Sequence, residues 1–326
     1  MIGDTRALLT AALAGLAAIA AQPAGAQGDY PSKPIRLIVG FAAGGGNDLF
    51  ARLVGQKMSE YLGQNIVIEN KAGAGGRLAV EFVKNQPADG YTVMVAASGQ
   101  MAIAAAIYPK LGYHPTRDFV PLTMIASFPL ILAGPMDDSI KSVKDLVAYG
   151  KAHPEKSNYA TSSPAFTITT ELFKLKTGMP GQMIPYKSTN EMMLSIAAGQ
   201  TMFGFADPSI VIPLAQSGKI RALAMTGPNR LPELPDVPTV AEAGFGNIDI
   251  RLQWIGAFAT AGTPPGVVRK IEATMRQVLA DPTMRDKLKA LAYTPDGRPG
   301  EEFRLLIDAD IKTYSDVVKA ANLKFD

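Results

Sequence analysis

Cysteine is absent from this 326-residue chain. That excludes disulfides, thiolate nucleophiles and cysteine-based metal sites together. Histidine is nearly absent: only His114 and His153 occur. His153 sits at a helix end before Pro154 and reads as a solvated cap residue. His114 lies in a loop before Pro115, and neither has a partner at metal-ligand spacing. Zinc chemistry and a Ser-His-Asp triad therefore find almost no material here, and no G-x-S-x-G turn is present. The carboxylates are dispersed, with no pair that points to glycoside hydrolysis. A dominant charge sign is lacking as well. Net charge is +3 with both signs spread along the chain, and no Lys/Arg block interleaves with aromatics, so no nucleic-acid surface is expected.

What is present is a globular composition, 47% apolar and 19% charged, in a chain long enough for two domains. Arg6 is followed by an apolar stretch from Ala7 to Ala20, too short to span a bilayer as a stable helix. Ala24-Gly25-Ala26 fits the small-x-small cleavage rule. Residues 1–26 therefore read as a secretory signal peptide, cut to leave Gln27 first. No Cys follows, so no lipoprotein anchor is expected, and no later segment reaches the roughly 18 apolar residues of a membrane helix. The expected product is soluble, exported and periplasmic.

The mature chain is organised around residues 35–52. Ile35 to Phe41 is an apolar, β-branched run that reads as a strand buried on both faces. Gly44, Gly45 and Gly46 follow, and Asn47 and Asp48 stand where a helix would begin. Leu49, Phe50, Leu53 and Val54 then form an apolar stripe at helical spacing. Strand, glycine turn and helix start aim backbone N–H groups at one point and make an anion site. The spacing lacks G-x-G-x-x-G and the Lys-Ser/Thr of a P-loop, so the site suits a small anion other than a nucleotide phosphate. The plainer alternative is a tight strand–helix turn with no ligand.

The same rhythm continues. Strand 65–69, glycine turn 71–76 and helix 77–85 are followed by strand 91–97 and the strand-to-helix change at Ser98-Gly99-Gln100. This predicts an α/β fold with parallel, doubly wound sheets and a ligand site beyond the strands' carboxyl ends. Apolar runs 120–125 and 129–133 precede a helix at 143–152, started by Ser142 with Asp145 in a capping-box position. The alternation restarts with strand 158–160, the polar turn Thr161-Ser162-Ser163 and a helix from Thr167 closed by Gly178. Strands 183–186, 202–206 and 220–225 alternate with helices 188–198 and 209–217. Residues 227–247 are an irregular Pro- and Gly-rich connection. A strand-like segment, 248–258, carries Trp254, and helices follow at 263–279, 283–291 and 300–321. Two α/β domains are expected, with the chain crossing between them twice.

Single residues admit two readings each. Asp48 suits the helix dipole, or orders the loop or a bound water, and these are compatible. Lys187, after Tyr186, offers a positive charge or is an exposed helix-start lysine. Phe41, Phe166, Phe205 and Trp254 could line a pocket, but each taken singly reads as core.

Taken in order, several motifs resemble one family. They are Tyr30-Pro-Ser-Lys-Pro-Ile-Arg-Leu-Ile-Val39, Ala43-Gly-Gly-Gly-Asn-Asp48 with Ala51-Arg52, Leu62-Gly-Gln64, Val67-Ile-Glu-Asn70, Ala72-Gly-Ala-Gly-Gly76 and Pro87-Ala-Asp-Gly-Tyr91. Tyr186-Lys187, Gly218-Lys-Ile-Arg-Ala-Leu-Ala224, Leu234-Pro-Asp-Val-Pro-Thr239, Glu242-Ala-Gly244 and Ala261-Gly-Thr-Pro264 complete the series. Across residues 30–326 the chain resembles the Bug-type solute receptors, the periplasmic binding proteins of tripartite tricarboxylate transporters. The resemblance implies a two-lobed periplasmic-binding-protein fold of the second type, each lobe a mainly parallel sheet flanked by helices, with the ligand cleft between lobes. Expected boundaries are 27–127 with 253–326 for one lobe and 128–252 for the other. It implies capture of a small carboxylate, without cofactor or metal, for membrane permease subunits, the receptor acting as a monomer. Ligand contacts carry over to Phe41, Ala42, Ala43, Gly44, Gly45 and Asp48, with Ser98, on one side. On the other they carry over to Thr161, Ser162, Ser163, Thr167, Tyr186, Lys187 and Asp207.

One departure stands out. Family members usually carry a longer Ser-Ser-Gly-Asn-Gly-Ser turn with His opening the next helix, where this chain has Ala160-Thr-Ser-Ser-Pro-Ala-Phe-Thr167. Phe166 in that shortened turn suggests an aromatic body on the ligand, an aromatic carboxylate rather than citrate. Two other functions fit a two-domain exported α/β protein: a periplasmic sensor that presents its ligand to a membrane kinase, and an exported enzyme. An enzyme should show a converging nucleophile, base or metal set, and the sequence offers none.

Overall fold

The computed structural model describes residues 30–44, 46–246, 252–320 and 322. The expected signal peptide, Gly45, the start of the strand expected from residue 248 and the last residue of the expected C-terminal helix lie outside them. Residues 1–32 and 33–326 form separate compact units. Of the first, residues 30–32 are described, with a cis bond between Tyr30 and Pro31. The second carries the fold.

Its first stretch runs β1 (Ile35–Val39), α1 (Gly46–Leu62), β2 (Ile66–Asn70), α2 (Arg77–Lys84), β3 (Thr92–Ala97), a π turn at Gly99–Ile103, the short α3 (Ala104–Ile107) and β4 (Phe119–Phe128). The middle stretch runs β5 (Ile131–Gly134), α4 (Val143–Ala152), β6 (Tyr159–Thr161), α5 (Pro164–Thr177), β7 (Met183–Pro185), α6 (Thr189–Ala197), β8 (Gly204–Ala206), α7 (Pro208–Gln216) and β9 (Arg221–Met225). The last runs β10 (Gln253–Thr260), α8 (Pro265–Ala280), α9 (Pro282–Lys289), β11 (Thr294–Pro295) and α10 (Gly300–Ala320).

The expected α/β alternation is present. One six-stranded sheet, ordered β11-β4-β10-β3-β1-β2, takes strands from the first and last stretches. The middle stretch makes its own sheets, β8-β5-β9 and β6-β7. The pairing is more mixed than the expected mainly parallel one. β1 is parallel to β2 and β3, but β10 is antiparallel to β3 and β4, and β11 to β4. The cause is topological. The chain leaves the large sheet along β4 and returns along β10, and a return beside the outgoing strand runs the opposite way. β5, which follows β4 after two residues, is likewise antiparallel to β8 and β9. Only the strands joined by helical crossovers keep the parallel sense.

Fully buried Trp254, Phe258 and Phe303 anchor the large sheet to α10, Trp254 and Phe303 meeting edge to face at 4.8 Å. Trp254 Nε1 donates to Asp310 Oδ2 at 2.8 Å, so the indole is buried without losing its hydrogen bond. Gly256 lies under that ring cluster. A Cβ there would stand 2.3 Å from Phe303, so glycine is required for packing. The second core gathers Tyr159, Phe173, Phe203 and Phe205. Each large side chain so buried contributes about 2 kcal/mol. α5 of the middle stretch also packs on the π turn and on α10 of the other.

Candidate functional site

The register puts chosen ends at one edge. Parallel pairing of Val39 with Val95, and antiparallel pairing of Ile255 with Ala97 and of Gln253 with Phe128, align the carboxyl ends of β1, β3 and β4 with the start of β10. The loop 41–48 leaves from that edge. Asp48 is buried at 2% exposure and holds the loop by three contacts. Its Oδ2 accepts from the Gly44 N–H and from Arg52 Nε, each at 2.9 Å, and its Oδ1 accepts from Asn70 Nδ2 at 2.9 Å. Asn70 Nδ2 also donates to the Phe41 carbonyl at 2.9 Å, which ties the loop to the end of β2. The Arg52 guanidinium, then the Gly44 and Asn70 hydrogen bonds, hold the Asp48 carboxyl down at about 2 against its burial.

Asp48 thus orders the loop, and the Gly44 N–H is committed inward to it. Ala42, Ala43 and Gly44 are exposed. Gly44 adopts φ +83° with open space where a Cβ would stand, so backbone conformation alone requires glycine there. Asn47 Oδ1 is buried without a partner. Ser98, at the end of β3, is 1% exposed, and its Oγ donates to Gln253 Oε1 at 2.6 Å.

A second edge is built from the middle stretch. β6 is parallel to β7, and Tyr159 bridges Phe203 in the parallel sense, so Thr161, Tyr186 and Asp207 follow neighbouring strand ends. Hydroxyls crowd the first of these turns. Thr161 Oγ1 and Thr167 Oγ1 lie 2.9 Å apart and both reach the Ser163 carbonyl at 3.1 Å. Ser162 Oγ meets Thr189 Oγ1 at 3.1 Å, and the Tyr186 N–H donates to the Thr161 carbonyl at 2.8 Å. Lys187 is exposed. Asp207 precedes α7 without capping it through its side chain, and burial raises its carboxyl to about 6.

The helix expected from Thr167 begins earlier, at Pro164, with Ser163 Oγ accepting from the Phe166 N–H at 3.4 Å. Serine as cap and proline at the first helical position are start signals in their own right. Phe166 therefore lies inside the first helical turn and is only 5% exposed. Its burial matches that of Thr161 and Thr167 in the same segment, at 3% and 5% exposure.

Two contacts bring the edges face to face. A Cβ built at Gly99 would touch Ala165 Cβ at 4.0 Å. Tyr293, between α9 and β11, stacks edge-on with Phe50 and Phe128 at 4.5 and 4.7 Å, and its hydroxyl meets Ser209 beside Asp207. Asn70, Gln253 and Tyr293 were not expected. A polar residue opening an otherwise buried apolar strand is the signal that Gln253 offers, whereas Asn70 and Tyr293 acquire their places only through the fold. Phe205 and Trp254 are core, as their strand positions suggested. His153 caps α4 and stacks on Tyr149 at 4.6 Å, and His114 Nδ1 accepts from the Thr116 N–H. Away from both edges, a surface cavity of about 550 Å³ lies between α2 and residues 108–112, where Arg77 stacks on Tyr108 at 3.8 Å. Among the described residues no helix is long and apolar enough to cross a membrane.

The model of the tripartite tricarboxylate transporter family receptor matches residues 50–323. The chain belongs to this receptor family. The receptor is 30% identical over 298 residues to protein BugT of Bordetella pertussis, covering 90% of this chain and 91% of BugT. A structure from R. palustris with adipate superposes with a TM-score of 0.82 at 32% identity, covering 90% of this receptor and 99% of that chain. MatC from Rhodopseudomonas palustris with bound malate gives 0.78 at 30% identity, covering 89% and 100%. The receptor shares with these neighbours the two-lobed α/β fold of periplasmic binding proteins. Family and neighbours are solute-binding receptors rather than enzymes.

Proposed function

We propose that this receptor is exported to the periplasm, captures a small carboxylate between its lobes and presents it to the membrane permease subunits of a tripartite transporter. One lobe is 27–127 with 253–326, the other 128–252, and the crossings near 128 and 252 are the hinge. The ligand carboxylate rests on loop 41–48, opposite Thr161, Ser162, Ser163 and Thr167, with Tyr186, Lys187 and Asp207 on the same wall. The observation that carries this reading is the Asp48 network. A buried carboxylate, an asparagine and an arginine hold an exposed glycine loop in one shape at the edge where α/β sheets bind ligands. Adipate and malate in the neighbours favour an aliphatic diacid.

A thermal-shift screen of residues 27–326 against mono-, di-, tri- and aromatic carboxylates tests the proposal. Ligand at about a hundred times its dissociation constant stabilises by roughly 2.7 kcal/mol, a shift of several degrees. A screen in which no carboxylate raises the melting temperature contradicts it.

A further inference from the structure

We infer that the side-chain amide of Gln253 binds the far end of the ligand, and that this makes the site selective for short aliphatic diacids over monoacids. The inference rests on the carboxylate reading above. Every residue of β10 is buried, and apart from Gln253 at one end and Thr260 at the other all are apolar or glycine. Thr260 Oγ1 donates to the Val83 carbonyl, which accounts for it. Gln253 is 3% exposed, and its Oε1 is taken by Ser98 Oγ at 2.6 Å. Its Nε2 is buried with no partner. An amide held at its oxygen and left open at its nitrogen is costly, and an apolar residue would avoid the cost. Unsatisfied donors at such a place point to a missing acceptor.

The position identifies that acceptor. Gln253 pairs with Phe128 at the end of β4, beside Ser98 at the end of β3, on the edge that carries loop 41–48. In the order β10-β3-β1 it stands two strand spacings from the loop's own strand, roughly 10 Å. A backbone separation of that order is within the reach of one small dicarboxylate bridging the loop and the Gln253 side chain. A diacid seated on the loop can thus give its second carboxylate to Nε2, with Ser98 fixing the amide. A monoacid of equal length cannot.

Calorimetric titration of residues 27–326 with adipate and malate, against hexanoate and butyrate, tests this. Wild type is expected to prefer the diacids. Gln253→Leu should lower diacid affinity about tenfold or more and leave the monoacids unchanged, so the preference collapses. The double variant Ser98→Ala/Gln253→Leu removes the serine hydroxyl that would lose its acceptor, and should fold and show the same collapse. Gln253→Glu keeps an acceptor for Ser98 but repels the second carboxylate, and should weaken diacids most. Wild-type diacid preference that survives in all three variants overturns the role of Gln253 and leaves the carboxylate reading standing. Wild type that binds none of the four acids, and no carboxylate in the screen, overturns both.

Discussion

Replacing Asp48 by alanine removes the acceptor of the Gly44, Arg52 and Asn70 hydrogen bonds at once. The loss is smaller than three bonds. Arg52, with its side chain 52% exposed, and the exposed Gly44 N–H can return to water, and Asn70 keeps the Phe41 carbonyl. The carboxyl falls from its ordinary 3.8 to about 2 on folding, which linkage converts to roughly 2.5 kcal/mol at pH 7. Screening at the exposed arginine reduces this to about 1–2 kcal/mol. The sign follows from the depressed value. The contribution is complete above about pH 5, is roughly half gone at pH 3, and vanishes as pH falls below 2. Urea denaturation of wild type and Asp48→Ala should therefore differ by about 1–2 kcal/mol at pH 7 and by about half as much at pH 3. Ligand affinity should fall by tenfold or more, because the freed loop must be ordered on binding. Equal midpoints at pH 7, or a difference that does not shrink with acid, would refute the reasoning.

Asp207 carries the opposite sign: burial raises its carboxyl to about 6, so the charged form opposes folding at neutral pH. Asp207→Asn should be more stable than wild type at pH 7, by about 1–2 kcal/mol because the carboxyl is only half-buried, and that difference should shrink between pH 6 and 4, read by denaturation of both proteins across the range. Gly44→Val should cost about 1–2 kcal/mol of backbone strain at φ +83° and weaken carboxylate binding, with Gly44→Asn milder on both counts in melts and titrations. Phe166→Ala should destabilise by about 3–5 kcal/mol in urea denaturation, because the ring is buried in the first turn of α5.

The strand–turn–helix units were legible because each is a local pattern. Ile35 to Val39 is apolar and buried apart from Arg36, and Ser142 with Asp145 starts α4 as the capping box requires. Gly178 closes α5 in a left-handed cap. Strand direction was not legible. Gln253 to Thr260 reads equally well in either sense, and only the return past β4 decides it. The start of α5 at Ser163-Pro164 escapes a reading that begins the helix at Thr167, although serine as cap and proline at the first helical position mark it. In the candidate site, the glycine loop and Asp48 stood in one contiguous motif. Asn70, Gln253 and Tyr293 join it from strands and turns distant in sequence, so their roles appear only when the sheet order is known.

Amide hydrogen exchange on residues 27–326, with and without saturating adipate, tests the central claim most directly. If loop 41–48 and residues 161–167, the end of β6 and the start of α5, grip a carboxylate, protection on binding should concentrate in peptides covering those two segments and the crossings near 128 and 252. Protection confined to the surface cavity beside Arg77 and Tyr108, with 41–48 and 161–167 unchanged, would contradict the account.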